Sequence, residues 1–169
     1  MAKGVTRNSP LMNMMMHALI AAAVCFMAAA VGGMFVTPEA VAWLETLAKP
    51  GFHPPDSVFM PVWTVLYAMM AGALFWMWRT KDASEEDRKL AFSWFGAQLV
   101  LNAFWPFAFF YMQSPLFGLL VSFALLVAIA GTIVVFDRIS RGAALLLVPY
   151  LLWVCFGTAL TFAIWFMNG

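Results

Sequence analysis

Charge is scarce in this sequence, and so are cysteine and histidine. Charged residues make up 10% of the 169 positions and hydrophobic residues 64%, where a soluble domain carries roughly 25% charged residues. No soluble fold covers that much apolar surface. The 2 cysteines, Cys25 and Cys155, both fall inside apolar runs, which excludes a disulfide framework as the organising device. No His/Cys metal spacing, Gly-rich phosphate loop or nucleophile elbow occurs, so no metal site is expected. The 8 acidic and 9 basic residues lie in loops or at the ends of apolar runs. A proton-coupled pump or charge-lined channel needs ionisable groups at membrane depth, and neither is expected. With a net charge of +1 and no basic stripe, no nucleic-acid partner is expected either.

What the chain does have is apolar length. Five stretches, 11–36, 58–78, 92–111, 116–136 and 143–167, are each long enough for a bilayer core, which takes about 20 helical residues. The expectation is an all-α integral membrane protein, a single five-transmembrane-helix bundle over residues 1–169, with 37–57 as the first loop. The first run follows Lys3 and Arg7 and precedes small residues, but it is longer than the ~7–15 residues of a signal segment. It is read as a retained span. Lys3, Arg7, Arg79, Lys81, Arg88, Lys89, Arg138 and Arg141 fall on one side of such a bundle and Lys49 on the other. That asymmetry predicts a cytoplasmic N-terminus and an outside C-terminus in a bacterial inner membrane.

The few polar groups within the spans are aligned. Gln98 and Asn102 stand four apart, and Trp105 and Phe109 continue their helix face. An amide in hydrocarbon is costly without a partner, so this face points inward. Trp63 and Tyr67 repeat the four-residue step; Tyr150, Trp153, Gly157 and Thr161 form a similar series. Trp76, Trp78, Trp94 and Trp165 suit an interfacial belt, while Trp63, Trp105 and Trp153 suit either core packing or a ligand cavity. Pro106 and Pro149 interrupt two spans and tend to kink them, which would open space between helices. Gly72, Gly131 and the pair Gly118 and Ser122 suit close helix contacts. His17, behind three methionines, is read as a packed or interfacial histidine and not as a copper ligand.

Three blocks carry a resemblance: WLETLAKPGFHPP at 43–55 with PVWTVLY at 61–67, QLVLNAFWPFAFF at 98–110, and LLVPYLLW at 146–153. Together, over nearly the whole chain, they resemble the tryptophan-rich sensory protein or translocator protein family, also called the peripheral benzodiazepine receptor family. The resemblance implies a five-helix bundle, usually a homodimer in the lipid bilayer, whose cavity opens toward a first loop that folds over it as a lid. It implies binding of porphyrins and, in mitochondrial relatives, of cholesterol and synthetic drugs. Trp63, Tyr67, Asn102, Trp105 and Trp153 match family cavity positions, and Phe117, Gly157 and Leu160 match further ones. Trp43, Phe52 and His53 from the first loop, with Gln98 and Phe109, complete the candidate ligand-binding set. Pro50, Pro54 and Pro55 hold their neighbourhood extended, so the lid is expected to be stiff, and Pro61 suits the first turn of a helix.

Phe52 stands where the family commonly has Trp, and Thr161 where it often has Asn. The last residues, 164–169, contain no basic side chain, so the sterol motif of animal members is missing its cation. The leading expectation is a membrane receptor or sensor for tetrapyrroles such as protoporphyrin IX and haem-like porphyrins, with the porphyrin as ligand and no obligatory cofactor. The alternatives are a light-dependent degradation of porphyrin, in which Trp63 and Trp153 would be the catalytic pair, and passive transport of porphyrins or other apolar molecules such as sterols.

Overall fold

The computed structural model describes residues 10–169; Lys3 and Arg7, on which part of the orientation reading rests, lie outside them. The described residues form six helices and no strand. They are α1 (Pro10–Gly33), α2 (Pro38–Thr46), α3 (Phe59–Arg79), α4 (Glu85–Pro106), α5 (Pro115–Ile139) and α6 (Arg141–Asn168). A 3-10 turn, Asp56–Val58, leads into α3, and a wide π turn, Phe107–Tyr111, follows α4.

Side-chain caps mark where the helices begin. Thr37 Oγ1 accepts from the Ala40 N–H at 3.3 Å and Ser114 Oγ from Phe117 at 3.2 Å, each with proline next in the chain. Ser84 Oγ accepts from the Asp87 N–H at 3.0 Å and donates to Asp87 Oδ2 at 2.8 Å, satisfying orphan donors of the first turn of α4. The Arg88 guanidinium closes the end of α3, donating to the Trp78 carbonyl at 2.9 Å and the Thr80 carbonyl at 2.8 Å. Helix α4 therefore starts at Glu85, earlier than the run from 92, because hydropathy marks the apolar part of a helix and not its capped, charged first turns.

Among the described residues, Pro10–Gly33, Asp56–Arg79, Pro115–Ile139 and Arg141–Asn168 are long and apolar enough to cross a membrane. Helix α4 is not one of these four. It carries Gln98 and Asn102, begins in charged residues, and is cut at Pro106. Pro106 ends the α-helical register, and the next turn is wide, with the Met112 N–H bonding five residues back to the Phe107 carbonyl at 3.0 Å. The expected kink at this proline takes the form of that π turn.

The five long helices close into a ring: α1 packs on α3, α3 on α6, α6 on α5, α5 on α4, and α4 back on α1. Rings fit into glycine notches where neighbours meet. A Cβ on Gly131 of α5 would lie 2.7 Å from the Trp94 ring of α4, and one on Gly118 would lie 2.7 Å from Phe109. Trp94, which suited the interfacial belt, thus packs within the bundle. Helix α1 buries only Ala21, Cys25 and Gly32, leaving its other large apolar side chains for lipid.

The Gly131 notch gives a direct test of the α4–α5 contact. Gly131→Ala should destabilise the detergent-solubilised protein by about 1–3 kcal/mol, the usual range for overpacking, read as a lowered melting temperature. A second change, Trp94→Leu, should recover part of that loss by making room for the methyl group.

Candidate functional site

Helix position orders the candidate residues into levels. From the first-loop end inward, α3 presents Phe59, Trp63, Tyr67 and then Met70, one turn apart; α6 presents Leu160, Gly157, Trp153 and Tyr150; the π turn and α4 present Phe109, Trp105, Asn102 and Gln98.

The Asn102 level is closed by hydrogen bonds. The Tyr67 hydroxyl donates to Asn102 Oδ1, and Asn102 Nδ2 donates to the Tyr150 hydroxyl at 2.7 Å. All three side chains are buried, so α3, α4 and α6 are tied across the interior of the ring. Gln98, 1% exposed, lies one turn deeper, with Nε2 3.9 Å from the Met70 sulfur. Its Oε1 accepts from no group among the described residues.

Between this floor and the first loop sits a layer of half-buried aromatic side chains. The Trp63 ring lies 5.7 Å from Tyr67 and 6.2 Å from Tyr150. Phe59 meets the Trp153 ring edge-on at 5.8 Å, and Trp153 reaches Phe156 at 5.5 Å. A Cβ on Gly157, one turn beyond Trp153, would meet nothing within 4 Å. On the other wall, Trp105 stacks on Phe109 at 5.0 Å and 9°, and its Nε1–H donates to Ser122 Oγ of α5 at 2.8 Å. The Thr161 hydroxyl donates to its own helix at the Gly157 carbonyl, at 2.8 Å.

The first loop covers this layer. It begins with α2; a turn follows, closed by the His53 N–H on the Pro50 carbonyl at 3.0 Å, which is not the extended chain expected at Pro50, and Pro54 and Pro55 then lead into the 3-10 turn. Trp43 of α2 meets Phe109 edge-on at 5.5 Å. Trp43, Leu44 and Leu47 pack on a small buried cluster of Phe109, Leu160 and Ile164. Phe52 lies 6.4 Å from Phe156 and His53 lies 5.9 Å from Phe59. At the helix start, Glu39 hydrogen-bonds with the Thr37 hydroxyl and its own backbone N–H, which holds its carboxyl below the usual range.

Most of the candidates therefore share one end of the bundle: Trp43, Phe52, His53, Trp63, Tyr67, Asn102, Trp105, Phe109, Trp153, Gly157 and Leu160. Gln98 lies beneath the floor, and Phe117 stands apart, edge-on to the exposed Phe104 at 5.8 Å. Phe59, Leu44, Leu47 and Ile164 pack at the same end, although the sequence alone did not mark them. Phe59, four before Trp63, extends a stripe already visible, and Thr37-Pro38-Glu39 signals a helix start.

The TspO/MBR family model matches residues 21–166. A tryptophan-rich protein TspO of Chlorobaculum tepidum is 42% identical over 80% of this chain and 86% of its own length. The translocator protein of Homo sapiens is 35% identical, with 80% of each chain covered. A tryptophan-rich sensory protein of Cereibacter sphaeroides is 33% identical over 80% of this chain and 81% of its own.

One further contact joins the first loop to the last turn of α6. The Ala48 N–H donates to Asn168 Oδ1 at 2.9 Å, and Asn168 Nδ2 donates to the Ala48 carbonyl at 3.0 Å and to the Ile164 carbonyl at 2.8 Å. One amide thus pairs both ways with a backbone unit of the lid, as a neighbouring strand would. Asn168→Ala removes both bonds to the first loop, worth about 1 kcal/mol each, so hydrogen exchange at Ala48 should accelerate by about thirtyfold while the α4–α5 core stays protected. Equal protection in the variant would show that the lid is held by its apolar side chains alone.

Proposed function

The chain belongs to the TspO/MBR family, and from that premise we propose that it is a five-span membrane receptor that binds a tetrapyrrole between the Tyr67–Asn102–Tyr150 floor and the α2 lid. In this reading α4 and its π turn form the fifth span, since α4 closes the helix ring between α1 and α5. The ring surface that faces lipid, and a second copy of the chain in a homodimer, complete its surroundings. The lid and the C-terminus face outward.

The observation that carries the reading is the layer of half-buried indoles beside open space at Gly157. Tyr67 and Tyr150 are buried and held by Asn102, whereas Trp63 and Trp153 above them remain part-exposed. A flat macrocycle gains from stacking on indole, on the order of 1 kcal/mol per ring pair beyond area burial. Leu44, Leu47 and Trp43 fill the lid side of the chamber, so a ligand of porphyrin size enters by displacing α2. The floor amide has both ends engaged by tyrosines. Orientation of the ligand then comes from the indoles and from the lid, where Lys49 and His53 lie near the mouth for the propionates.

Protoporphyrin IX titrated in the dark into the detergent-purified protein should quench tryptophan fluorescence saturably, at micromolar concentration on the scale of stacking and burial. Trp153→Leu should weaken that binding by about fivefold to tenfold, the worth of one stacked ring pair, without changing the melting temperature by more than a degree or two. Nonsaturating quenching, identical in both proteins, would mean that the porphyrin only partitions into detergent.

A second reading, light-dependent oxidation of the bound porphyrin, is favoured by the position of two oxidisable indoles, Trp63 and Trp153, on facing helices of the same chamber. Under illumination in air the protein should then yield a defined product, and the Trp63→Phe/Trp153→Phe double variant should not. Porphyrin loss at the rate seen without protein would reduce the effect to photobleaching.

A further inference from the structure

At the end of the bundle opposite the lid, α3 and α6 part to leave a groove of about 510 Å³ lined by Gly72, Phe75, Trp76, Arg79, Thr80 and Leu146. Its floor is shallow in side chains because Gly72 has none: a Cβ there would only just touch Leu146 Cδ1, at 3.6 Å. Its wall is fixed. The Trp76 ring lies in the notch of Gly142 in the first turn of α6, where a Cβ would come within 2.7 Å of it. Its mouth is cationic. The Arg79 guanidinium sits over the Phe75 ring, 5.7 Å from the centroid, which holds the charge above the apolar floor.

Among the described residues, none forms an ion pair with that charge. The ion pair found among the described residues is Arg138 with Asp87, at 4.0 Å, and no acidic side chain lines the groove. Arg88 shares this end of the bundle, but its guanidinium is engaged by the Trp78 and Thr80 carbonyls. Arg79 is thus a cation at the rim of an open, largely apolar groove, with Trp76 52% exposed beside it.

We propose that this groove is a binding site for one anionic phospholipid, with the phosphate on Arg79 and an acyl chain along Gly72, Phe75 and Leu146. A guanidinium offers a phosphate two parallel N–H donors, which an ammonium cannot. Basic pockets between membrane helices bind anionic head groups, whereas a zwitterionic lipid would bring its own cation close to Arg79. The cleft on α1 lined by Leu11, Met12, Met15, Met16, Leu19 and Ile20 has no charged side chain among its described lining residues. The groove is separate from the aromatic chamber, so the lipid site stands or falls independently of the porphyrin reading.

The test is native mass spectrometry of the full chain, delipidated and re-equilibrated with equal amounts of phosphatidylglycerol and phosphatidylcholine. One retained phosphatidylglycerol is expected. Its retention should fall about fivefold in Arg79→Gln, as for one basic group at a membrane surface, and less in Arg79→Lys. Gly72→Leu, which fills the floor and leaves the charge in place, should lose it too, while Gly72→Ala should keep it. Lys81→Gln, a change outside the groove, should keep it as well. Equal retention of both lipids, no loss in Arg79→Gln, or an equal loss in Lys81→Gln would overturn the proposal. So would displacement of the lipid by soluble glycerol 3-phosphate, which would mark a site for free phosphate. A melting transition at the parent temperature certifies each variant as folded.

Discussion

A carboxamide inside an apolar bundle is costly to leave unpaired, and Asn102 is met at both ends by two phenols. The hydroxyl of Tyr67 donates to its oxygen, and its nitrogen donates to Tyr150 at 2.7 Å. Three helices are thereby fixed in rotation about their own axes, because α3 must turn Tyr67, α4 Asn102 and α6 Tyr150 to the same point. Apolar packing alone permits sliding, since one methyl group resembles the next. A buried hydrogen-bonded pair does not, because an unmet partner there costs about 1–3 kcal/mol. The aromatic layer above and the Gln98–Met70 contact below both take their level from this point.

The floor also divides the molecule chemically. Toward the lid lie the indoles, Phe59, Phe109 and the apolar side chains of α2; toward the other end lie a dense core of Met70, Leu74, Met77, Phe95 and Phe136 and the capped, charged helix ends. The residues of α2 pack on the small cluster of Phe109, Leu160 and Ile164, separate from the core beneath. The first loop is held by three side chains of 43–47 on that cluster, by the ring contacts of Phe52 and His53, and by one amide of α6 on the backbone of Ala48.

Much of this was legible in the sequence, and the rest was hidden for definite reasons. The long helices follow from apolar length, and the inward face of α4 follows from Gln98 and Asn102 four residues apart. The partners of Asn102 were not legible as partners, since Tyr67 and Tyr150 come from elements 35 and 48 residues away and local periodicity says nothing of which faces meet. Helix α2 was hidden by its setting: its start signal at Thr37 lies in a segment whose prolines argue for extended chain. Asn168 gave no signal at all, because it recognises backbone, which every residue has. Pro106 was visible as an interruption, but sequence alone does not distinguish a bend from a widened turn.

That widened turn governs the phase between floor and lid. An α-helix advances about 100° per residue, so the extra residue in Phe107–Tyr111 sets the azimuth of everything that follows it relative to Asn102. With the π turn, Phe109 lies flat against Trp105 and offers its edge to Trp43 while Phe110 stays alongside. Deleting a single residue there would restore a regular spiral and swing those rings round the axis by a quarter turn or more, so that α2 would find no aromatic seat. The chain length between Asn102 and Ser114 is therefore a fixed dimension of the protein, tolerant of exchange in kind but not of insertion or loss.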